Sequence, residues 1–189
     1  MSSVNSLENH FLVAMPRLTG TYFGSTVTYL WKHDQSGAIG LVVNKPLKTS
    51  VADIFDELEI TSGAGDRDFG ARHVLAGGPV ERDKGFILHD AGNKWDSSIR
   101  ITPELTITTS KSILQDIASG EGPCNYLIAL GCAGWGPGQL EKEMLENSWL
   151  TTPASSELIF SEDYAGKPRA AAAQLGISLE KISPSAGHS

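Results

Sequence analysis

The chain has 189 residues, of which 40% are hydrophobic and 20% charged, proportions ordinary for a globular protein with one sizeable core. Its 15 Lys+Arg against 22 Asp+Glu give a formal charge of −7, and the positive residues form no dense stripe, so a polyanion-binding role is disfavoured. No run approaches the ~20 apolar residues that a membrane-spanning helix needs. Met1 to His10 lacks the basic and apolar regions of a secretory signal.

In chain order, the first third reads as β-rich. His10 to Pro16 (HFLVAMP) is a short apolar run stopped by proline. Ser25 to Asp34 (STVTYLWKHD) alternates through Val27, Tyr29 and Trp31, and Gly37 to Pro46 (GAIGLVVNKP) is apolar on both faces, as a central strand should be. The short QSG connection makes these two an antiparallel hairpin.

The period then changes. Val51, Ile54, Phe55 and Leu58 fall on one helical stripe. Ser50 stands at the N-cap position and Asp53 at the third residue, an approximate capping box. Thr61 to Ala71 reads as a polar, glycine-rich, mobile loop. Strands return at 72–77, 85–90, 97–101 and 105–109, with a backbone turn at Gly77-Gly78-Pro79. A second helix places Ile113, Leu114 and Ile117 inward and ends at Gly120. Asn125 to Trp135 is another buried strand, followed after Pro153 by a short extended piece, ELIF, and a helix from about Pro168 to Leu175 closed by Gly176. There is no repeat, linker or low-complexity tract, so one domain spans 1–189. Strand runs with single interleaved helices indicate α+β. If 125–129 is a strand, Cys124 and Cys132 lie ~26 Å apart, too far for a disulfide. Reduced thiols in a cytoplasm fit better.

Four segments, HFLVAMPRL…STVTYLWKHDQSGAIGLVVNKP, GGPVERDKGFILH, LTITTSKSIL and GCAGWGPGQLEKEMLENSWLT, occur in this order. Together they resemble the AlgH/YqgE family of bacterial proteins from about Leu7 through Pro153, and the ending SAGHS is of the same kind. The resemblance implies a single α+β domain whose bifurcated, mainly antiparallel sheet curls into a pseudo-barrel flanked by helices. It implies no activity, catalytic residue or cofactor, since the family is largely uncharacterised and takes its name from a proposed role in regulating alginate production. The chain departs from the family pattern at Thr19-Gly20-Thr21, where an acidic-proline turn is usual, at Lys45, where arginine is usual, and at Cys132, often tyrosine. Lysine at position 45 would weaken a bidentate anion contact.

The densest stretch is Gly131 to Leu150, glycine-rich and running into an acidic helix. It lacks the Gly-Lys-Ser/Thr of a P-loop and the spacing of a dinucleotide fingerprint. With Gly136 as N-cap, Pro137 takes N1 and Gln139 can reach back to the cap N–H. Glu141 and Glu143 then complement the helix end and would repel a phosphate. Trp149 is expected in the core with Leu145; Trp135 is either core or an exposed aromatic platform. Histidines 10, 33, 73 and 89 show no metal-ligand spacing, and Cys132 reads as a buried thiol. Gly77 to Gly85 (GGPVERDKG) is a candidate binding loop, Thr108 to Ser110 a hydroxyl cap, and Asn44 a polar residue that needs partners.

The expected function is that of a non-enzymatic binding or regulatory protein. Its ligand- or partner-binding residues would be Asn44, Lys45, Gly77, Gly78, His89, Trp135 and Gln139, in a groove beside the helix that starts at Pro137. No metal and no cofactor is expected, and the partner is an unidentified protein or small molecule. The alternative is a hydrolase or transferase acting on a small anionic metabolite, with His89 or Glu141 as base and Lys45 or Arg82 holding the anion. A DNA-binding regulator has the least support, with no helix-turn-helix or basic helix.

Overall fold

A computed structural model describes residues 5–63, 68–90, 92 and 95–182. Part of the glycine-rich loop, 64–67, and the SAGHS ending lie outside the described residues. Ten strands form one curled sheet: β1 (His10–Ala14), β2 (Val27–Asp34), β3 (Gly37–Val42), β4 (Pro46–Ser50), β5 (His73–Ala76), β6 (Val80–Asp90), β7 (Ser98–Thr102), β8 (Leu105–Thr108), β9 (Tyr126–Trp135) and β10 (Trp149–Pro153). Their order is β10-β1-β2-β3-β9-β6-β8-β7, with β4 joined to β5 and β5 to β9. The helices are α1 (Val51–Glu57), α2 (Lys111–Ser119), α3 (Gln139–Leu145), α4 (Ser156–Phe160) and α5 (Lys167–Ala173). The architecture is α+β, with a mainly antiparallel sheet curled into a half-barrel, in agreement with the pseudo-barrel that the family resemblance implies.

Strand β9 is the spine. One edge takes β6 in an antiparallel ladder from Val80↔Cys132 to His89↔Tyr126. The rest of its pairing is shared by parallel β5 at Ala129 and Leu130 and antiparallel β3 from Ala133 to Trp135. The sheet forks between these partners at Gly131, whose φ of +78° is left-handed. A side chain there would be strained and would collide with the Gly78 carbonyl oxygen.

Alternation along the strands feeds separate cores. Phe86, Leu88, Leu127 and Ala129 point into the curl with Phe11, Tyr29 and Leu41, closed by Ile159 of α4 and Ala171 of α5. Ile87 and Ile128 face the other way, beneath Ile54 and Phe55 of α1 and Ile113, Leu114 and Ile117 of α2. A third cluster packs Leu140 of α3 on Leu12, Leu30, Trp135 and Trp149.

Local chemistry sets the helix ends. Ser50 accepts from the Asp53 N–H while the Asp53 carboxylate accepts from the Ser50 N–H, completing the capping box. Gly120 closes α2 at φ +91°. Two expectations fail here. ELIF is helical, because Ser155 caps Leu158 N–H and starts α4. The Ser110 hydroxyl makes no cap to α2; it bonds the Ser112 hydroxyl instead.

Candidate functional site

The expected site residues are spread along the fold. Asn44 is engaged with the backbone: its Oδ1 accepts from Val27 N and its Nδ2 donates to Ser25 O, tying the segment after β3 to the start of β2. The Lys45 Nζ donates to Tyr22 O at 3.3 Å and stands 3.5 Å from the centre of the Tyr22 ring. Burial and, second, the charge of Arg82 lower its pKa. Gly77 and Gly78 do permit close backbone approach, but the neighbour is β9. A Cβ on Gly77 would collide with the Gly131 carbonyl, and one on Gly78 with the Cys132 carbonyl.

His89 is fully buried opposite Tyr126, at the far end of β9 from Trp135. Its Nδ1 faces Asp90 O at 2.7 Å and its Nε2 the Thr108 hydroxyl at 2.8 Å. Burial lowers its pKa, and the imidazole lies edge-on to Trp95. Both nitrogens serve the sheet interior.

Trp135 is 6% exposed, which places it in the core rather than on a platform. It stacks on Phe23, with Trp149 edge-on. Trp149 is also buried, but Leu145 is 85% exposed and takes no part in its packing. Gln139 makes the expected reach: Oε1 accepts from Gly136 N–H at 3.0 Å, and Nε2 donates to Glu143 Oε1. The helix itself begins one residue after Gly138, which sits at φ +73° where we expected helical backbone. Glu141, the alternative base, bonds His33 Nε2 at 2.7 Å; its own backbone N–H, then His33, lower its pKa.

Of the seven, Asn44, Lys45, Gly77 and Gly78 gather at the fork, Trp135 and Gln139 lie on the α3 side, and His89 stands apart. Among the described residues no group of three or more His, Cys, Asp or Glu is placed to hold a metal ion. Cys124 and Cys132 are both free, and burial raises the Cys132 pKa.

A cleft opens beside the fork. Its floor is Ile87 of β6 and Ile128 and Leu130 of β9; Ile54 and Leu58 of the α1 end and Leu114 of α2 form the walls. The rim carries Arg82, Asp83, Glu57 and Lys111, with Thr109 and Ser110 at the start of α2, around a volume of about 490 Å³. This size falls within the range usual for small-molecule sites.

The rim exists because β6 bulges. Val80 pairs with Cys132 and Gly85 with Leu130, so five steps on β6 face two on β9. The surplus residues leave the ladder, Glu81 adopting φ +47°, and carry Arg82 and Asp83 over the mouth. The sequence marked GGPVERDKG as a binding loop, yet the cleft floor was hidden, since Ile87, Ile128 and Leu114 read as ordinary core.

A sequence profile described as AlgH-like matches residues 11–180. The chain belongs to the AlgH-like family. A UPF0301 protein of Stenotrophomonas maltophilia is 44% identical over 97% of this chain and 96% of its own length. A UPF0301 protein of Yersinia pseudotuberculosis is 46% identical over 97% and 99%. The solution structure of the AlgH protein from Pseudomonas aeruginosa superposes with a TM-score of 0.77 at 41% identity, covering 100% of this chain and 99% of that one. A crystal structure from Corynebacterium diphtheriae shares the fold alone, with a TM-score of 0.68 at 17% identity. In this AlgH-like chain, Lys45 packs on Tyr22, and Arg82 is an exposed cation on the cleft side. No helix among the described residues is long and apolar enough to cross a membrane.

Proposed function

We propose that this AlgH-like protein is a non-enzymatic binding protein whose ligand occupies the cleft between α1, the start of α2, β6 and β9. The carrying observation is the cleft's construction: partly buried apolar side chains, Leu58 and Leu130, beside a rim of charged and hydroxyl side chains. Such a surface orients a small molecule by its polar end while burying its apolar body. The candidate bases of the enzymatic alternative are both engaged, His89 inside the sheet and Glu141 with His33. The net charge of −7 supports a partner other than nucleic acid. Free thiols support a cytoplasmic setting, where a ligand-dependent regulatory role would operate.

Gly85 offers a clean test. It lines the cleft, and a Cβ built there meets nothing within 4 Å, so Gly85→Phe adds a ring in open space. A metabolite set is screened by thermal shift against both proteins. The expected result is at least one compound that raises the melting temperature of the wild type and not of G85F. If every stabilising compound acts equally on both, the cleft is not the site.

A further inference from the structure

We infer that His33 is an acid-operated latch on the N-terminal strap, residues 5–8: protonation of its ring frees the strap and tightens the contact to α3. The strap meets this residue twice. The Ser6 hydroxyl donates to the His33 carbonyl at 3.1 Å, and the Leu7 N–H donates to His33 Nδ1 at 2.9 Å.

The hydrogen on the ring is placed by its partners. A backbone N–H can only donate, so Nδ1 holds a lone pair and the neutral ring carries its hydrogen on Nε2. Nε2 then donates to Glu141 Oε1 at 2.7 Å, and one hydrogen satisfies both contacts. In the imidazolium both nitrogens carry hydrogen, so Nδ1–H faces the Leu7 N–H and that bond is lost. The other bond gains, because a cation now donates to a carboxylate. Glu141 stays ionised where imidazoles titrate, since its own backbone N–H and then His33 hold its pKa low. The side chain of His33 is 2% exposed, so lifting the strap also lets water reach the new charge.

The release has a pivot. Asn9, at φ +59°, donates its N–H to the Leu30 carbonyl at 2.8 Å and accepts from the Ala154 N–H and the Tyr29 hydroxyl, both at 3.0 Å. None of these bonds involves the His33 ring, so β1 keeps its place while the chain ahead of Asn9 swings. Leu7 leaves with it and uncovers part of the cluster built on Leu12, Leu30, Ala38 and Leu140. The neighbouring titratable groups leave this role to His33. His10 Nδ1 faces the Glu8 carbonyl at 2.9 Å as a donor, a role that protonation preserves. Lys32 pairs with Asp34, Glu143 accepts from two indoles, and Glu8 and Lys142 are exposed. Neither β3 nor residues 133–135 of β9 carry a titratable side chain.

NMR of 15N-labelled protein tests the latch from about pH 7.5 to about pH 5, across the ordinary range of imidazole. Long-range spectra of the ring report which nitrogens carry hydrogen, and the heteronuclear NOE of each amide reports its mobility. At the upper pH, His33 should show a bare Nδ1 and Leu7 should be as rigid as β1. At the lower pH both nitrogens should be protonated, and Leu7 and Glu8 should fall to the NOE of a free terminus while Asn9 and Leu12 stay rigid. His33→Asn offers an amide oxygen in place of Nδ1 that does not titrate, and should hold the strap at both values. Glu141→Gln keeps an acceptor without the charge, and should move the opening about one pH unit lower. A rigid Leu7 beside a doubly protonated His33 would overturn the latch, as would a ring that stays neutral until the whole fold is lost. So would an asparagine variant that opens as the wild type does. Should that variant fail to fold, an opening midpoint unmoved by Glu141→Gln has the same force.

Discussion

The Lys167 ammonium donates to the Val43 carbonyl at 2.7 Å from the inside of the protein, with only 2% of the residue exposed. Its second acceptor is the Ile159 carbonyl, at 2.9 Å. Two backbone oxygens, rather than a carboxylate, thus hold α5 to the end of β3 and to α4. Desolvation by burial lowers its pKa from 10.5 to about 8. The lowered value means the unfolded chain binds more protons than the folded one above pH 8, so this residue adds stability as pH rises toward 10.5. Cys132 and the tyrosines 22, 29 and 164 have raised values and act in the opposite sense at alkaline pH. The difference between wild type and Lys167→Met isolates the lysine. Urea unfolding at pH 7.5 and pH 9 should show wild type gaining on the variant at the higher pH. An unchanged difference would refute the assignment.

Glu143 joins two indoles. Its Oε2 accepts from Trp135 Nε1 at 2.9 Å and from Trp149 Nε1 at 2.8 Å. Glu143→Ala strands both N–H groups and should cost about 2–4 kcal/mol, while Glu143→Gln keeps an acceptor oxygen and should cost less than half of that. The urea midpoints, at unchanged m, give the comparison.

Acid should act first through His89. Burial holds its pKa below 6.5, so the unfolded chain takes up the proton that the folded one resists, and stability falls as pH drops below 6.5. The carboxyls held low, Asp34, Asp53 and Glu141, add their loss only further down. His89→Asn should therefore flatten the stability profile between pH 6.5 and 5. A variant that follows the wild-type slope would show that the sheet tolerates an imidazolium.

Gly131→Ala tests the fork. The substitution places a Cβ against the Gly78 carbonyl in a left-handed backbone, and a loss of 3 kcal/mol or more is expected from collision and strain together. Hydrogen exchange should show the loss concentrated in β5 and the near end of β6. An alanine variant of wild-type stability would mean that β9 can turn elsewhere.

The fold was legible wherever one residue type answers one local need. Ser50 and Asp53 announce their box, Gly120 its left-handed cap, and Gln139 its reach to Gly136. What stayed hidden was geometry made by pairing distant segments. The strand β10 depends on β1 for its partner, and α4 follows from a serine cap inside what reads as an extended piece. The cleft was equally silent, because a residue such as Ile87 looks the same in sequence whether a helix covers it or an opening lies above it. Arg82 comes to that opening through the bulge in β6, and Lys111 because α2 lies over the sheet.

The pairing of β1 with β10 also orders events at the ribosome. His10 lies opposite Pro153 and Ala14 opposite Trp149, so β1 acquires this neighbour only once β10 has been made. At ordinary elongation rates the wait is on the order of ten seconds. Through that interval the apolar Phe11-Leu12-Val13 segment has one bare edge, the kind of edge that recruits strands from other chains. Newly made protein is thus most prone to association before β10 emerges, and a chaperone that shields β1 and β2 would raise the yield of folded molecules without touching the finished structure.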